Sequence, residues 1–134
     1  MLMFLLSGVG ALISLYLWNA HVSNVDVICT TGCDAVLQSK YGSMMGVPVG
    51  AYGTAFYVGL MGLIFLQSKI VHKLLEDLIK LFLIAGGLFT LYLRYLEFFI
   101  LHEICIWCWG SVVVILAISL LFILISRENK LSKK

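Results

Sequence analysis

The chain has 134 residues, of which 62% are hydrophobic and only 12% are charged. A soluble domain of this size is typically about half apolar, with about a quarter of its residues charged, so this composition excludes a soluble protein. The formal net charge of +2 is small and gives no indication of nucleic-acid binding. We therefore predict a single all-α membrane domain over residues 1–134.

Four long apolar runs follow one another along the chain. A spanning helix needs roughly 20 mostly apolar residues, and backbone groups cannot stay unpaired in lipid, so each run predicts a transmembrane α-helix. The strands of a membrane β-barrel would alternate in polarity, and these runs do not. The sequence predicts a four-helix transmembrane bundle with spans at about residues 1–19, 48–67, 78–101 and 106–125.

The orientation follows from the basic residues. The first run lacks a preceding basic segment and a clear cleavage site, so we expect a retained span rather than a signal peptide. Four spans then place both termini on one side of the membrane, which the positive-inside rule assigns to the cytoplasm. We predict a multi-pass plasma-membrane protein. Most of its nine basic residues lie in or beside the middle loop (Lys69, Lys73, Lys80) or in the C-terminal tail (Arg127, Lys130, Lys133, Lys134).

The four cysteines form two pairs, Cys29/Cys33 in the first outer loop and Cys105/Cys108 at the start of the fourth run. The predicted topology places both pairs on the extracytoplasmic face, where disulfides form and persist. At positions i and i+3 of a helix, Cys105 and Cys108 share a face at a separation that a disulfide can close. A helix N-terminus also favours the reactive thiolate. The pattern indicates thiol–disulfide exchange beside a membrane-dissolved quinone.

A short amphipathic helix is predicted after the first pair, over residues 34–41. Thr31 is a candidate N-cap, and Gly42 would end the helix. Its apolar side chains would rest on the bilayer surface or on the bundle. Cys33 then lies in a first helical turn, whereas Cys29 lies on accessible chain before it.

Two other interpretations of the cysteines remain open. Four cysteines can bind structural zinc, and C-x-x-C is also a zinc-knuckle spacing, although such sites usually lie in water-exposed knuckles. The pairs could instead form two static disulfides, but a bridge across one helical turn closes a very short loop and stabilises little. Both alternatives describe a non-catalytic membrane module.

Three motifs together resemble the vitamin K epoxide reductase family in its prokaryotic branch. They are Cys33–Ser39, Gly46–Pro48 and Cys105–Cys108, set in a chain with four apolar runs and an outer-loop cysteine pair. The resemblance covers nearly the whole chain. It implies a quinone-dependent thiol–disulfide oxidoreductase that generates disulfides in other proteins.

The resemblance also implies a role for each matched cysteine. Cys29 would exchange disulfides with a secreted or membrane-tethered thioredoxin-like partner. Cys33 would pass electrons to Cys105 through a transient disulfide, and Cys108 would lie nearest the quinone. Ser39 matches a Ser/Thr of the family that helps to activate the site. No thioredoxin-like domain is visible in this chain, so we expect the partner to be separate.

The cofactor implied by the resemblance is a quinone of the ubiquinone or menaquinone type, with Cys108, Trp107 and Ser111 as its expected contacts. The animal members carry a quinone-binding Tyr where this chain has Val112. We therefore expect quinone reduction rather than epoxide reduction.

Two charged residues, Arg94 and Glu97, lie inside the third run. Charges within a membrane span are costly and indicate function by default, but at positions i and i+3 these two can also pair. A weaker hypothesis is that Arg94 extends to the membrane surface while Glu97 or His102 delivers protons to the quinone.

Overall fold

The computed structural model describes residues 1–25, 28 and 32–134, although the side chains of Cys33, Val36 and Leu37 lie outside the description. The role predicted for Cys29 therefore lies outside the described residues, and the N-cap of the short helix Cys33–Gln38 is Gly32 rather than the predicted Thr31. The described helices are α1 (Leu2–Ser23), α2 (Cys33–Gln38), α3 (Val49–Lys69), α4 (Lys73–Leu96), a π-helical segment (Glu97–Leu101) and α5 (Ile106–Ser132), with a hairpin of β1 (Ser43–Met44) and β2 (Val47–Pro48) before α3.

The four long helices overlap the four predicted runs. Three of them, α1, α3 and α5, are long and apolar enough to cross a membrane. The third run forms α4 and the π-helical segment after it. Because α4 is not one of those three helices, the count of four spans stays a prediction.

Helix α3 approaches α1 closely because it presents glycines to it. A Cβ atom on Gly50 would lie 2.7 Å from the backbone nitrogen of Trp18, and one on Gly53 would lie 2.7 Å from Ser14 Oγ. Small residues let helix backbones come together where lipid offers no hydrophobic driving force. The glycines that the sequence places along the second run therefore bring α1 and α3 into contact at the end near the cysteines.

The interior of the bundle is apolar, and much of its outside is apolar as well. Tyr57, Leu60, Ile79 and Ile118 form the centre of the buried cluster. Outward-facing residues such as Leu12, at 68% exposure, would be a liability in water. This distribution agrees with a protein whose helices are surrounded by lipid.

The short helix α2 ends earlier than predicted. It stops at Gln38, because Ser39 has extended backbone angles (φ −67°, ψ 161°) and its carbonyl accepts the N–H of Gly42 at 2.9 Å. The expected continuation to Tyr41 is therefore wrong. The chain turns there into the hairpin, where Gly46 has a φ of 80° that glycine adopts without steric cost. Whether α2 lies at a membrane surface stays a prediction.

Candidate functional site: a cysteine pair beside an apolar cavity

Cys105 and Cys108 are brought together by the first turn of α5. Cys105 is the N-cap residue and is fully buried, and its Sγ accepts the backbone N–H of Cys108 at 3.3 Å. Both are free thiols in the structure. The hydrogen bond from the Cys108 thiol is the main cause that lowers the pKa of Cys105, and burial acts against it. The thiolate form of Cys105, which precedes the span, is therefore favoured.

Glu97 fixes the backbone at Cys105. Its carboxylate is only 2% exposed, and Oε1 accepts the N–H of Cys105 at 2.6 Å. A hydrogen bond to an ionised acceptor is roughly twice as strong as a neutral one. Glu97 is the first residue of the π-helical segment that ends α4. Its position there connects the end of α4 to the beginning of α5.

Arg94 balances the charge of this buried carboxylate. Its Nη1 forms an ion pair with Oε2 of Glu97, and its guanidinium lies 5.6 Å from the ring centroid of Trp109. The Arg94 side chain is only 13% exposed. The i, i+3 pairing that the sequence left open is thus present, and whether Arg94 reaches the membrane surface stays a prediction.

An apolar cavity of about 420 Å³ lies between the four long helices. Ligand pockets commonly have volumes of about 300–1,000 Å³ and combine apolar walls with a few polar groups. Cys108, Ser111, Tyr57, Arg94 and Glu97 supply polar atoms to its wall. The remainder of the wall is mostly aliphatic and aromatic, together with the glycines Gly42, Gly50, Gly53 and Gly86.

Tyr57 and Ser111 join α3 to α5 across this cavity. The Tyr57 hydroxyl donates to the carbonyl of Ser111 at 3.2 Å and lies 2.7 Å from Ser111 Oγ. Tyr57 is only 1% exposed, so these bonds satisfy a phenol that lies inside the bundle. Both side chains keep their positions on the wall below Cys108 through this contact.

Two described residues on either side of residues 29–31, Ile28 and Gly32, lie against the segment that carries Cys105. On one side, the carbonyl of Ile28 accepts the indole N–H of Trp107 at 3.1 Å. On the other, Gly32 has a φ of 31°, and a Cβ atom there would overlap the side chain of Glu103. The flanks of the Cys29–Cys33 segment therefore lie next to the turn that carries Cys105.

The predicted site residues are only partly brought together. Cys108 and Ser111 line the cavity, whereas Trp107 lies outside its lining and contacts Tyr16, at 5.1 Å between ring centroids. Ser39 ends α2, two residues before Tyr41, which lines the cavity. These placements leave the predicted roles of Trp107 and Ser39 as predictions.

The zinc hypothesis depends on residues that the structure describes only in part. Among the described residues there is no group of three or more His, Cys, Asp or Glu that could hold a metal ion. Two of the four cysteine ligands are Cys29 and the Cys33 side chain, which lie outside the description. The four-cysteine alternative therefore stays open.

A comparison with protein families decides the relationship that the motifs indicated. The model of the vitamin K epoxide reductase family matches residues 1–123. The chain belongs to this family. As a family member with helices that can cross a membrane, it has a membrane redox function, and proteins of the family are in general quinone-linked.

Three features of the site were beyond the sequence analysis. The bond from Glu97 to the Cys105 backbone was not expected, although two charges within an apolar run had indicated that this region is unusual. Tyr57 was not singled out, and a phenol within a span is only a weak signal because such residues also occur in membrane-interface belts. The packing of Trp109 against Arg94 depends on a turn of the chain that no local pattern specifies.

Proposed function

We propose that this protein is a membrane thiol oxidase that makes disulfides for a thioredoxin-like partner outside the cytoplasm and passes the electrons to a membrane quinone. The observation that carries the proposal is the position of Cys108. It lies beside the buried Cys105, whose Sγ accepts its backbone N–H, and it also lines an apolar cavity. Such a thiol can meet both a disulfide partner and a lipid-soluble electron acceptor.

The cavity fits a quinone by its chemistry. Its walls are mostly apolar and suit an aromatic ring, and its volume of about 420 Å³ suits the head group of such a molecule. The buried Nε of Arg94 has no hydrogen-bond partner among the described residues, so it can donate to a carbonyl oxygen. A bound quinone would supply a two-electron, two-proton acceptor for the Cys105/Cys108 dithiol.

The protein's own steps are thiol–disulfide exchanges through mixed disulfides. A thiolate of the reduced partner attacks Cys29 of the Cys29–Cys33 disulfide, and the partner's second thiol then displaces Cys29 and leaves with a disulfide. The freed Cys33 thiolate attacks Cys105 and releases Cys108 as a thiolate. Cys29 then attacks Cys33 and restores the outer disulfide, which leaves Cys105 and Cys108 reduced. Two electrons have then moved from the partner to the inner pair.

The placement of Ile28 and Gly32 supports this order. Ile28 and Gly32, on either side of residues 29–31, contact Trp107 and Glu103 on either side of Cys105. This arrangement keeps the chain next to Cys33 close to the turn that carries Cys105, which favours exchange between the two sulfurs. The glutamate bond to the Cys105 backbone holds the receiving sulfur in place.

The topology is part of the proposal. We propose four spans, with α4 as the third, α2 at the outer membrane surface, and both termini in the cytoplasm. The basic C-terminal end of α5, with Lys130, Lys133 and Lys134, supports this orientation through the positive-inside rule. The cysteine pairs then face the extracytoplasmic side of the plasma membrane, where the partner is oxidised.

The test is quinone reduction by purified protein in detergent, with dithiothreitol standing in for the partner and decylubiquinone or menadione as acceptor. We expect the wild type to turn over and Cys108→Ser to lose turnover completely. Cys33→Ser, mixed with a single-cysteine thioredoxin-like protein activated as its mixed disulfide with 2-nitro-5-thiobenzoate, should form a lasting mixed disulfide on Cys29 and release 2-nitro-5-thiobenzoate. A folded, oxidised wild type that reduces neither quinone would refute the proposal, and stoichiometric zinc in that protein would favour the metal-site alternative.

A further inference from the structure

We propose that Arg94 is a binding residue for the quinone and donates a hydrogen bond from its guanidinium to a carbonyl oxygen of the ring. The inference rests on the proposed function and deepens it. It assigns a function to the guanidinium of Arg94. The ion-pair partner of Arg94, Glu97, also accepts the backbone N–H of Cys105. Charged side chains within spans are expensive, and they usually face a cavity or a partner that requires them.

The first argument is that Arg94 retains unused donor capacity. A guanidinium has five N–H donors in a fixed planar fork. Glu97 pairs with Nη1, while Nε is buried and has no hydrogen-bond partner among the described residues. A buried donor without a partner keeps an uncompensated desolvation cost, which a ligand acceptor at this point would remove.

The second argument is that two other hydroxyls on the wall already have hydrogen-bond partners. The Thr90 hydroxyl donates to the carbonyl of Gly86 at 2.7 Å, and Tyr57 bonds to Ser111. Among the described residues, only Arg94 and Glu97 both line the cavity and carry a buried side-chain atom without a hydrogen bond. The Glu97 atom is the oxygen that pairs with Arg94. Arg94 is therefore a buried donor on the wall that a ligand oxygen can satisfy.

The third argument is that the guanidinium is held in place from both sides. Glu97 fixes Nη1, and the Trp109 ring lies against the guanidinium at 5.6 Å, itself packed edge-on against Phe98. A donor fixed in advance loses little conformational entropy when the ligand arrives. The same Glu97 bonds to the Cys105 backbone, so the ligand oxygen and the cysteine pair are positioned by one carboxylate.

This arrangement also matches the chemistry of the acceptor. Electrons that enter a quinone ring place negative charge on its oxygens, and a guanidinium in a low-dielectric site stabilises such charge more strongly than it would in water. Arg94 would thus contribute to affinity and to the rate of electron transfer from Cys108.

The experiment measures binding without turnover. The oxidised protein has no electrons to transfer, so binding of menadione can be followed by quenching of tryptophan fluorescence. The key variant is the double substitution Arg94→Gln/Glu97→Gln, which removes both charges together and leaves an amide oxygen to accept the Cys105 N–H. Replacing both members of a buried pair avoids the isolated charge that either single change would leave.

We expect the double variant to bind menadione at least about tenfold more weakly, in line with a lost hydrogen bond to a charged group. Arg127→Gln is the matched control, because Arg127 is the chain's other arginine, is exposed and lies outside the cavity lining. It should bind menadione as the wild type does.

A second ligand separates hydrogen bonding from packing. 2-Methylnaphthalene has the ring and methyl group of menadione without its oxygens, and the double variant should bind it as the wild type does. Equal weakening of both ligands, or unchanged menadione binding in the folded double variant, would overturn the role of Arg94. If the wild type reduces quinones while the variant binds them equally well, the inference fails and the proposed function stands. Failure of the wild type to bind or reduce any quinone would remove both.

Discussion

Helix α4 carries acid–base pairs near both of its ends, and their surroundings are opposite. Near its beginning, Lys80 lies 2.9 Å from Glu76 and 3.2 Å from Asp77, with the three side chains 30% to 55% exposed. At its end, Arg94 and Glu97 pair inside the bundle, with side chains 13% and 2% exposed. One helix therefore holds a solvent-screened charge cluster and a buried one.

The difference indicates why the Arg94–Glu97 ion pair is present inside the bundle. Exposed ion pairs usually contribute little to stability and are screened by salt. A buried pair must be desolvated, so apolar residues of the same volume are often equally stabilising or better. The Arg94–Glu97 pair is therefore better explained by what it positions, namely Cys105 and the cavity wall, than by a contribution to folding.

The largest expected effect comes from breaking the buried pair on one side. Glu97→Ala leaves Arg94 charged and unpaired and removes the acceptor of the Cys105 N–H, so we expect destabilisation of about 3–5 kcal/mol. Thermal unfolding in detergent, followed by circular dichroism, measures it. Asp77→Ala, on the same helix, is the control, because the exposed Asp77 contacts only Lys80 at 3.2 Å, and it should leave the midpoint nearly unchanged. Similar losses in both variants would contradict the distinction between the two ends.

A smaller effect should come from the close helix contact at the cysteine end. Gly50→Ala places a methyl group 2.7 Å from the Trp18 backbone, which cannot move aside as a side chain could, so α1 and α3 must separate. We expect destabilisation of about 1–3 kcal/mol, typical of overpacking. Gly62→Ala, further along the same helix, has no described neighbour within 4 Å and should be neutral or stabilise by up to about 1 kcal/mol. Thermal unfolding of the two variants side by side tests whether tight packing is confined to the half of α3 that lies near the cysteine pair.

The smallest effect concerns the pH dependence of the buried thiol. The Cys108 thiol lowers the pKa of Cys105, so in reduced protein the reactive thiolate should persist to lower pH than for an ordinary cysteine. Cys108→Ala removes that donor, and the pH profile of Cys105 alkylation should move to higher pH. Mass spectrometry of the Cys105 peptide after N-ethylmaleimide treatment measures it in a Cys29→Ser/Cys33→Ser background. Coinciding profiles would show that Cys108 does not tune its neighbour.

Most of the helical architecture was predictable because backbone N–H and C=O groups cannot stay unpaired in lipid, so a long apolar run must form a helix. The runs 1–19, 48–67 and 106–125 all became helices, and α5 continues to Ser132 because its polar end is still a good helix former once outside the apolar segment. The helix formed by the third run begins at Lys73, before the predicted span, and only three residues separate it from α3. Charged residues at its start do not prevent a helix that has solvent beside it.

Of the site, only the cysteine motif could be predicted from the sequence. Cys105 and Cys108 were placed correctly at the start of a helix, since C-x-x-C at the edge of an apolar run has a clear local meaning. The cavity was not predictable, because it is formed by residues of four helices that are far apart in sequence. The direction of the Arg94 side chain was left open for the same reason: its choice between surface and interior depends on where Glu97 and Trp109 lie.

The cavity of about 420 Å³ has a consequence for how the protein is maintained in a cell. Empty apolar space deprives the surrounding side chains of van der Waals contacts, which a bound ring would restore. A ligand that binds only the folded state stabilises it by mass action, by about 2.7 kcal/mol at a hundred times its dissociation constant. A quinone bound there would therefore serve as a folding ligand as well as an oxidant. The steady-state amount of the protein would then follow the quinone content of its membrane, with the unliganded form removed first by quality-control proteases.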